Sequence, residues 1–151
     1  MSAESRLQEL GLTLPEIPTP VASYVNCVRS GNLLFLSGGL PARDGQLITG
    51  KVPETISPEE ATEAARLIIL NRLAVVRQEV GSLDKVRRIV NLQGFVNSAP
   101  DFHDHPKVIN GASDLLLQIF GEAGKHSRIA LGAAALPLNA AVEISLVVEV
   151  E

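Results

Sequence analysis

The sequence predicts an α+β domain in which two helices pack on one face of a mixed sheet, in the order β-β-α-β-α-β-β. Three observations predict it. Two segments, about 58–80 and about 104–120, carry apolar residues at helical spacing, and each runs into a glycine, Gly81 or Gly121. Five shorter segments rich in aliphatic residues lie around them and read as strands. In the last strand Ala140, Val142, Ile144, Leu146, Val148 and Val150 alternate with Ala141, Glu143, Ser145, Val147, Glu149 and Glu151. That is the period-2 pattern of a strand with two unlike faces.

Residues 2–10 carry Leu7 and Leu10 among polar partners, and Gly11 stands where a helix would stop. Pro15, Pro18 and Pro20 then make an extended connector, since proline removes the ladder donor that a central strand needs. Val21 to Arg29 reads as a strand, Ser30-Gly31-Asn32 as a tight turn, and Leu33 to Leu36 as the second arm of a hairpin. Ser37-Gly38-Gly39 ends it, and two adjacent glycines point to a sharp bend or a close approach.

The first long helix is the clearest local signal. Ser57 caps it, Pro58 occupies the first turn and Glu60 completes a capping box. Ala65, Ile69, Leu73, Val76 and Val80 form its apolar stripe, while Arg72, Arg77 and Gln78 face elsewhere. Val86 to Val96 reads as a strand. The second helix starts near Asp104 or Pro106 and buries Val108, Ala112, Leu115, Leu116 and Ile119. Strands from Arg128 to Ala134 and from Ala140 to Val150 close the chain. The second face of the last strand is small and only partly polar in its first half, as are Ala130, Gly132 and Ala134. Such a face is either an ordinary solvent face or a subunit interface.

The 151 residues suit one domain, large enough to bury about two thirds of its unfolded surface without staples. Aromatics are 3% and Trp is absent, so the core must be aliphatic. A net charge of −4 argues against non-specific attraction to nucleic acid or an anionic membrane. The single cysteine, Cys27, excludes an intramolecular disulfide framework and suits a reducing compartment. Met1-Ser2-Ala3-Glu4-Ser5 is not the start of a signal peptide, and the apolar stretch 129–142 is broken by Gly132 and Pro137. The expectation is a soluble cytoplasmic protein.

Candidate chemistry is sparse. Arg128 opens the most apolar stretch of the chain, and its guanidinium either snorkels to water or is held ready for a carboxylate. Glu143 sits between Val142 and Ile144; buried, it could handle a proton near neutrality, and solvated it is an ordinary carboxylate. His103-Asp104-His105 with Asp101 nearby lacks a third well-spaced ligand and reads as a helix start rather than a metal site. His126 reads as part of a solvated loop and Cys27 as a buried inert thiol. No G-x-S-x-G, Walker or G-x-G-x-x-G motif is present, so cofactor-driven redox chemistry has no support in the sequence.

Tyr24-Val25, Gly31-Asn32 and the strand into Ser37-Gly38 resemble the opening of the RidA (YjgF-type) reactive intermediate deaminase family, also labelled endoribonuclease L-PSP. Phe95-Val96, Asp101-Phe102 and Val108-Ile109-Asn110 resemble its middle section. Arg128 with Leu136-Pro137 nine positions on, then Val142-Glu143-Ile144, resembles its closing signature. The resemblance implies a chorismate-mutase-like fold for residues 21–151 behind an N-terminal extension of residues 1–20, assembled as a homotrimer with clefts between subunits. It implies hydrolysis of 2-imino or 2-enamino acids to 2-oxo acids with release of ammonia, with no metal or organic cofactor.

On this reading Arg128 would clamp the substrate carboxylate and Glu143 would position or activate water. Tyr24, from a neighbouring subunit, would line the cleft. Ser37 and the Gly38 backbone would donate hydrogen bonds at its wall, and Asn110 would sit at its rim. The partners implied are a small carboxylate-bearing substrate and further copies of the chain, with no nucleic acid and no membrane. Ile129 after the arginine, Gly39, and Ser145 two positions after Glu143 depart from the family pattern and imply a divergent branch with a less polar cleft. Two other readings stand beside the enzyme: a non-catalytic metabolite-binding protein on the same scaffold, and a ribonuclease, against which the acidic charge argues.

Overall fold

Ser57 does what its position in the sequence predicts. Its Oγ accepts the Glu60 N–H at 3.1 Å and starts a 23-residue helix, Pro58–Val80, which Gly81 ends at φ 91°. The computed structural model describes residues 1–17, 19–20 and 22–151. Pro18 of the predicted connector and Val21, the predicted first residue of the first strand, lie outside the described residues.

Two helices flank the chain's long one in sequence, so the described residues hold three α-helices rather than two: α1 (Ala3–Glu9), α2 (Pro58–Val80) and α3 (His105–Phe120). The strands are β1 (Cys27–Ser30), β2 (Leu33–Leu36), β3 (Ala42–Arg43), β4 (Gln46–Leu47), β5 (Val86–Asn97), β6 (Ser127–Ala133) and β7 (Val142–Val150). Five of them make one sheet in the order β1-β2-β7-β5-β6; only β5 and β6 are parallel, joined by the crossover through α3. β3 and β4 form a separate small hairpin around Asp44-Gly45, both at positive φ, a turn that the sequence reading passed over.

The first strand begins at Cys27, not Val21, and Ala22-Ser23-Tyr24 bends instead. The reason lies in its partner. Cys27 pairs with Leu36, and beyond Leu36 the chain leaves β1 for β7, where Gly39 exchanges backbone hydrogen bonds with Ile144 at 2.8 and 3.2 Å. Past the Ser37 N–H to Asn26 carbonyl bond the ladder does not continue, so Ala22-Ser23-Tyr24 are not held extended.

The helices lie on one face of the sheet. Leu34, Ile89, Leu92, Ile144, Leu146 and Val148 face Ile68, Ile69, Leu73, Ile109, Leu115 and Leu116, all buried, so the core is aliphatic as composition requires. Two glycines let α3 sit close. A Cβ on Gly94 would meet Ile109 at 2.6 Å, and one on Gly111 would strike the Thr62 backbone carbonyl. Asp104 precedes α3 but makes no side-chain cap, contrary to the expected role. α1 docks through Leu7, which is buried, and through Glu4, whose carboxylate accepts from Arg77 Nε and Nη2 and from the Leu83 N–H. Burial alone would raise the Glu4 pKa, but those hydrogen bonds and the Arg77 charge outweigh it and hold the carboxyl below its ordinary value.

The opposite face of the sheet carries Val28, Phe35, Ile129 and Leu131, each about half exposed. No helix among the described residues is long and apolar enough to cross a membrane.

Candidate active site

Four of the predicted residues share one cavity. Tyr24, Ser37, Gly38 and Glu143, with Ala22, Leu40, Pro137 and Leu138, line a hollow of about 700 Å³ at the end of β7. Glu143 pairs with Phe95 across β7 and β5 and therefore faces away from the helices. Its carboxylate has no hydrogen-bond or ion-pair partner among the described residues, and burial raises its pKa above the ordinary glutamate value. A proton acceptor that is partly desolvated and uncommitted is suited to act near neutrality.

The twin glycines explain how the wall of this cavity is built. Successive strand residues face opposite ways. A Cβ on Gly38 would strike the Glu143 carboxylate, and one on Gly39 would meet Arg72 Nε at 2.7 Å on the other side. The bare backbone thus passes between a carboxylate and a guanidinium. Ser37 is committed elsewhere than the resemblance implies. Its hydroxyl donates to the Val25 carbonyl at 2.6 Å, its N–H to the Asn26 carbonyl, and its own carbonyl accepts from Arg72 Nη1 at 2.9 Å. Ser37 therefore locks the wall, leaving only a hydroxyl lone pair to offer a ligand.

Leu138 overhangs the cavity in the left-handed region, φ 57° and ψ 23°, followed by Asn139 at φ 58°. Non-glycine residues hold such conformations only where the surroundings impose them. Here Asn139 accepts from Asn97 Nδ2 and the Gly50 N–H, while Lys51 Nζ donates to Asn97 Oδ1 at 2.8 Å and the Ala134 carbonyl at 2.7 Å. This support was not legible in the sequence, because its members lie in three separated segments.

Arg128 and Asn110 are not in that cavity. Arg128 pairs with buried Leu92, so it lies on the helix face of the edge strand β6, opposite to Glu143. Its Nη1 donates to Ser113 Oγ at 3.0 Å and its Nη2 to the Pro106 carbonyl at 3.3 Å. Residues 106, 110 and 113 share one face of α3, which puts Asn110 beside the guanidinium. Tyr24 shares the cavity with Glu143 of its own chain and lies apart from Arg128.

His126 corrects a further expectation. It is no loose surface group, because Nδ1 contacts the Gly124 carbonyl at 2.6 Å and Nε2 contacts Ser113 Oγ at 2.9 Å. The carbonyl can only accept, so Nδ1 donates to it, while Nε2 and Arg128 Nη1 both meet Ser113 Oγ. The chain Gly124–His126–Ser113–Arg128 fixes the arginine while leaving three of its five N–H groups uncommitted.

His105 packs edge-on against Phe102 and contacts Ser98 Oγ at 3.1 Å, and its pKa is lowered by burial and by His103. Among the described residues no three His, Cys, Asp or Glu side chains converge as a metal site would need. The Cys27 thiol is pushed up to about 11, by burial first and then by Glu79, which makes it a poor nucleophile. Arg72, read as facing away from the apolar stripe, is instead 2% exposed. It lies three positions after Ile69 and four before Val76, inside the buried arc, and spacing alone signalled that.

The matching family model, described as "YjgF/chorismate mutase-like, putative endoribonuclease", spans residues 4–150. The Trypanosoma cruzi protein TCP17 is 44% identical over 147 residues, covering 96% of this chain and 92% of its own. A 2-iminobutanoate/2-iminopropanoate deaminase from Dermatophagoides farinae is 30% identical over 142 residues, covering 93% of this chain and 95% of its own. Among solved structures, one of unknown function from Agrobacterium tumefaciens superposes at a TM-score of 0.92 with 46% identity, covering 99% of this chain and 92% of that one. Another, from Shewanella oneidensis and bearing the same endoribonuclease wording, superposes at 0.96 with 37% identity over 99% and 100%. With its mixed sheet, its helices on one face and this match along nearly its whole length, the chain belongs to the YjgF/chorismate mutase-like family.

Proposed function

We propose that this protein hydrolyses reactive 2-imino and 2-enamino acids to 2-oxo acids and ammonia, at clefts between the subunits of a homotrimer. The observation that carries the reading is the uncommitted, half-buried carboxylate of Glu143 in a cavity walled by Tyr24, Ser37 and Gly38. The similarity to the Dermatophagoides farinae deaminase supports the substrate class.

The reaction needs little more than capture and a placed water, because an imine carbon is already electrophilic. Glu143 accepts a proton as a water oxygen bonds to the imine carbon, and the C=N pair moves to nitrogen. The proton passes to that nitrogen. Glu143 then relays the proton of the new hydroxyl to the amino nitrogen, the C–N bond breaks with its electrons leaving on ammonia, and the C=O bond of the 2-oxo acid forms. Arg128, held by Ser113, presents its free N–H groups to the substrate carboxylate. Because Arg128 and Glu143 lie on opposite faces within one chain, the arginine at each cleft comes from the adjacent subunit. The exposed apolar row of Val28, Phe35, Ile129 and Leu131 is the surface on which subunits meet.

The test generates 2-iminobutanoate in place with an amino-acid oxidase and measures ammonia release, or competition with semicarbazide, for wild type, Arg128→Ala and Glu143→Gln. Wild type is expected to exceed buffer and both variants to lose that excess. Wild-type turnover equal to buffer would leave the second reading, a binding protein without turnover. Ile129, Gly39 and Ser145, which depart from the family pattern around the cleft, favour that reading.

A further inference from the structure

A guanidinium taken out of water is costly unless an anion meets it, and Arg72 lacks one. It is 2% exposed, and no carboxylate among the described residues lies within ion-pair distance of it. Among the described residues its one hydrogen bond runs from Nη1 to the Ser37 carbonyl, and its buried Nε has no partner. The groups that favour its charge are the Tyr24 hydroxyl and the Cys27 thiol, both weak acids.

Arg72 forms part of the floor of a second cavity, of about 620 Å³, on the helix side of the Gly38-Gly39 backbone. Tyr24, Gly38 and Leu40 border both this chamber and the Glu143 cavity. The chamber walls are largely apolar, with Ile17, Leu40 and Leu47 among them. Asn71 lies beside Arg72, but its Nδ2 is turned back on the Leu67 carbonyl at 3.3 Å, so the cation dominates the polar floor. Glu16 and Asp44 stand at the lining as exposed carboxylates.

We infer that this chamber is a binding site for a small organic monocarboxylate with an aliphatic body, its carboxylate seated on Arg72. The planar fork matches a carboxylate, and with Nε sealed against Gly39 and Nη1 on the Ser37 carbonyl, Nη2 is the edge left to donate. The aliphatic body fits the apolar walls. One buried positive charge balances one negative charge, and Glu16 and Asp44 repel a second, which selects against phosphate dianions and dicarboxylates. The site lies on the opposite side of the twin-glycine wall from Glu143 and does not depend on the deaminase reading.

The chain carries one tyrosine and no tryptophan, so the emission of Tyr24 reports on the chamber directly. The experiment titrates butanoate, neutral butanamide of the same shape, and succinate into the full-length protein while following that emission. Wild type is expected to show saturable butanoate binding, with butanamide and succinate each weaker by roughly thirtyfold or more. Arg72→Met should lose the butanoate response by the same factor while remaining folded by circular dichroism. Arg72→Lys, which keeps the charge but not the fork, should bind with intermediate affinity and serves if the methionine variant does not fold. Arg128→Ala should bind as wild type does, which separates this site from the proposed clamp.

The inference is overturned by any of four results: no saturable butanoate response, equal binding of butanoate and butanamide, unchanged binding in Arg72→Met, or loss in Arg128→Ala alone.

Discussion

At the scale of single residues, the chemistry rests on groups that folding leaves poorly solvated, and stability should record it. Because burial raises the Glu143 pKa, folding favours its protonated form. The ionised form costs stability as pH rises from the ordinary glutamate value through the raised one, and below that window the cost disappears. Glu143→Gln removes the cost. The variant is therefore expected to unfold at the same or a higher temperature than wild type at neutral pH, with a flatter stability profile as pH rises above the ordinary glutamate value. Its turnover should fall by roughly 10²- to 10⁴-fold; thermal melts across pH beside ammonia release check both. Gly38→Ala tests the same carboxylate from outside. The added Cβ meets the far end of a flexible side chain, so stability should change by less than about 1 kcal/mol while activity drops as Glu143 swings away. Loss of both together would mean that the wall, and not the carboxylate, had moved. Arg72 shows the limit of reading by residue type, since a charged side chain within the buried arc was assigned outward for its chemistry alone.

Between elements, α2 and α3 meet across a contact with no slack. A Cβ at Gly111 runs into the Thr62 backbone carbonyl, which cannot rotate aside. Gly111→Ala is therefore expected to cost about 1–3 kcal/mol despite its better helix propensity, read as a lower urea midpoint with an unchanged slope. An unchanged midpoint would show that the helices can part freely. The bounds of α2 were legible because cap, first-turn proline, apolar stripe and stop glycine all agree. β1 was misjudged because a strand's length belongs to its partner as much as to itself. Tyr24 and Val25 favour extended backbone, yet β2 ends opposite Cys27 and leaves them unpaired. The β3–β4 hairpin had its signal in Asp44-Gly45, but two-residue arms carry no periodicity to frame it. The site was only half legible for a related reason: sequence order says nothing of which sheet face a residue takes, and Arg128 and Glu143 take different ones.

For the molecule as a whole, the outer sheet face is the largest unexplained apolar feature, and the proposed trimer is its use. Leu131 is 47% exposed on the edge strand of that face. Leu131→Glu is expected to leave the secondary structure intact and convert the assembly to monomers, as measured by light scattering on a sizing column. It should also abolish imine turnover, since each cleft would lose its borrowed arginine. A wild type that is itself monomeric at micromolar concentration would refute the assembly. The sequence points to Ala130, Gly132 and Ala134 on this face, but Ala130 and Gly132 pair with Gly94 and Val96 on the helix side; β6 instead contributes Ile129 and Leu131, and Val28 and Phe35 join only through the β1-β2-β7 pairing. That pairing places the latest strand in the chain, β7, between β2 and β5, so that both halves of the sheet await it. During synthesis the β1–β2 hairpin and the β5–α3–β6 unit emerge first, each with an open strand edge and an uncovered apolar face. Leu33 must wait for Glu149 to be made before it finds its neighbour, so more than a hundred residues are synthesised between the two strands before the sheet can close.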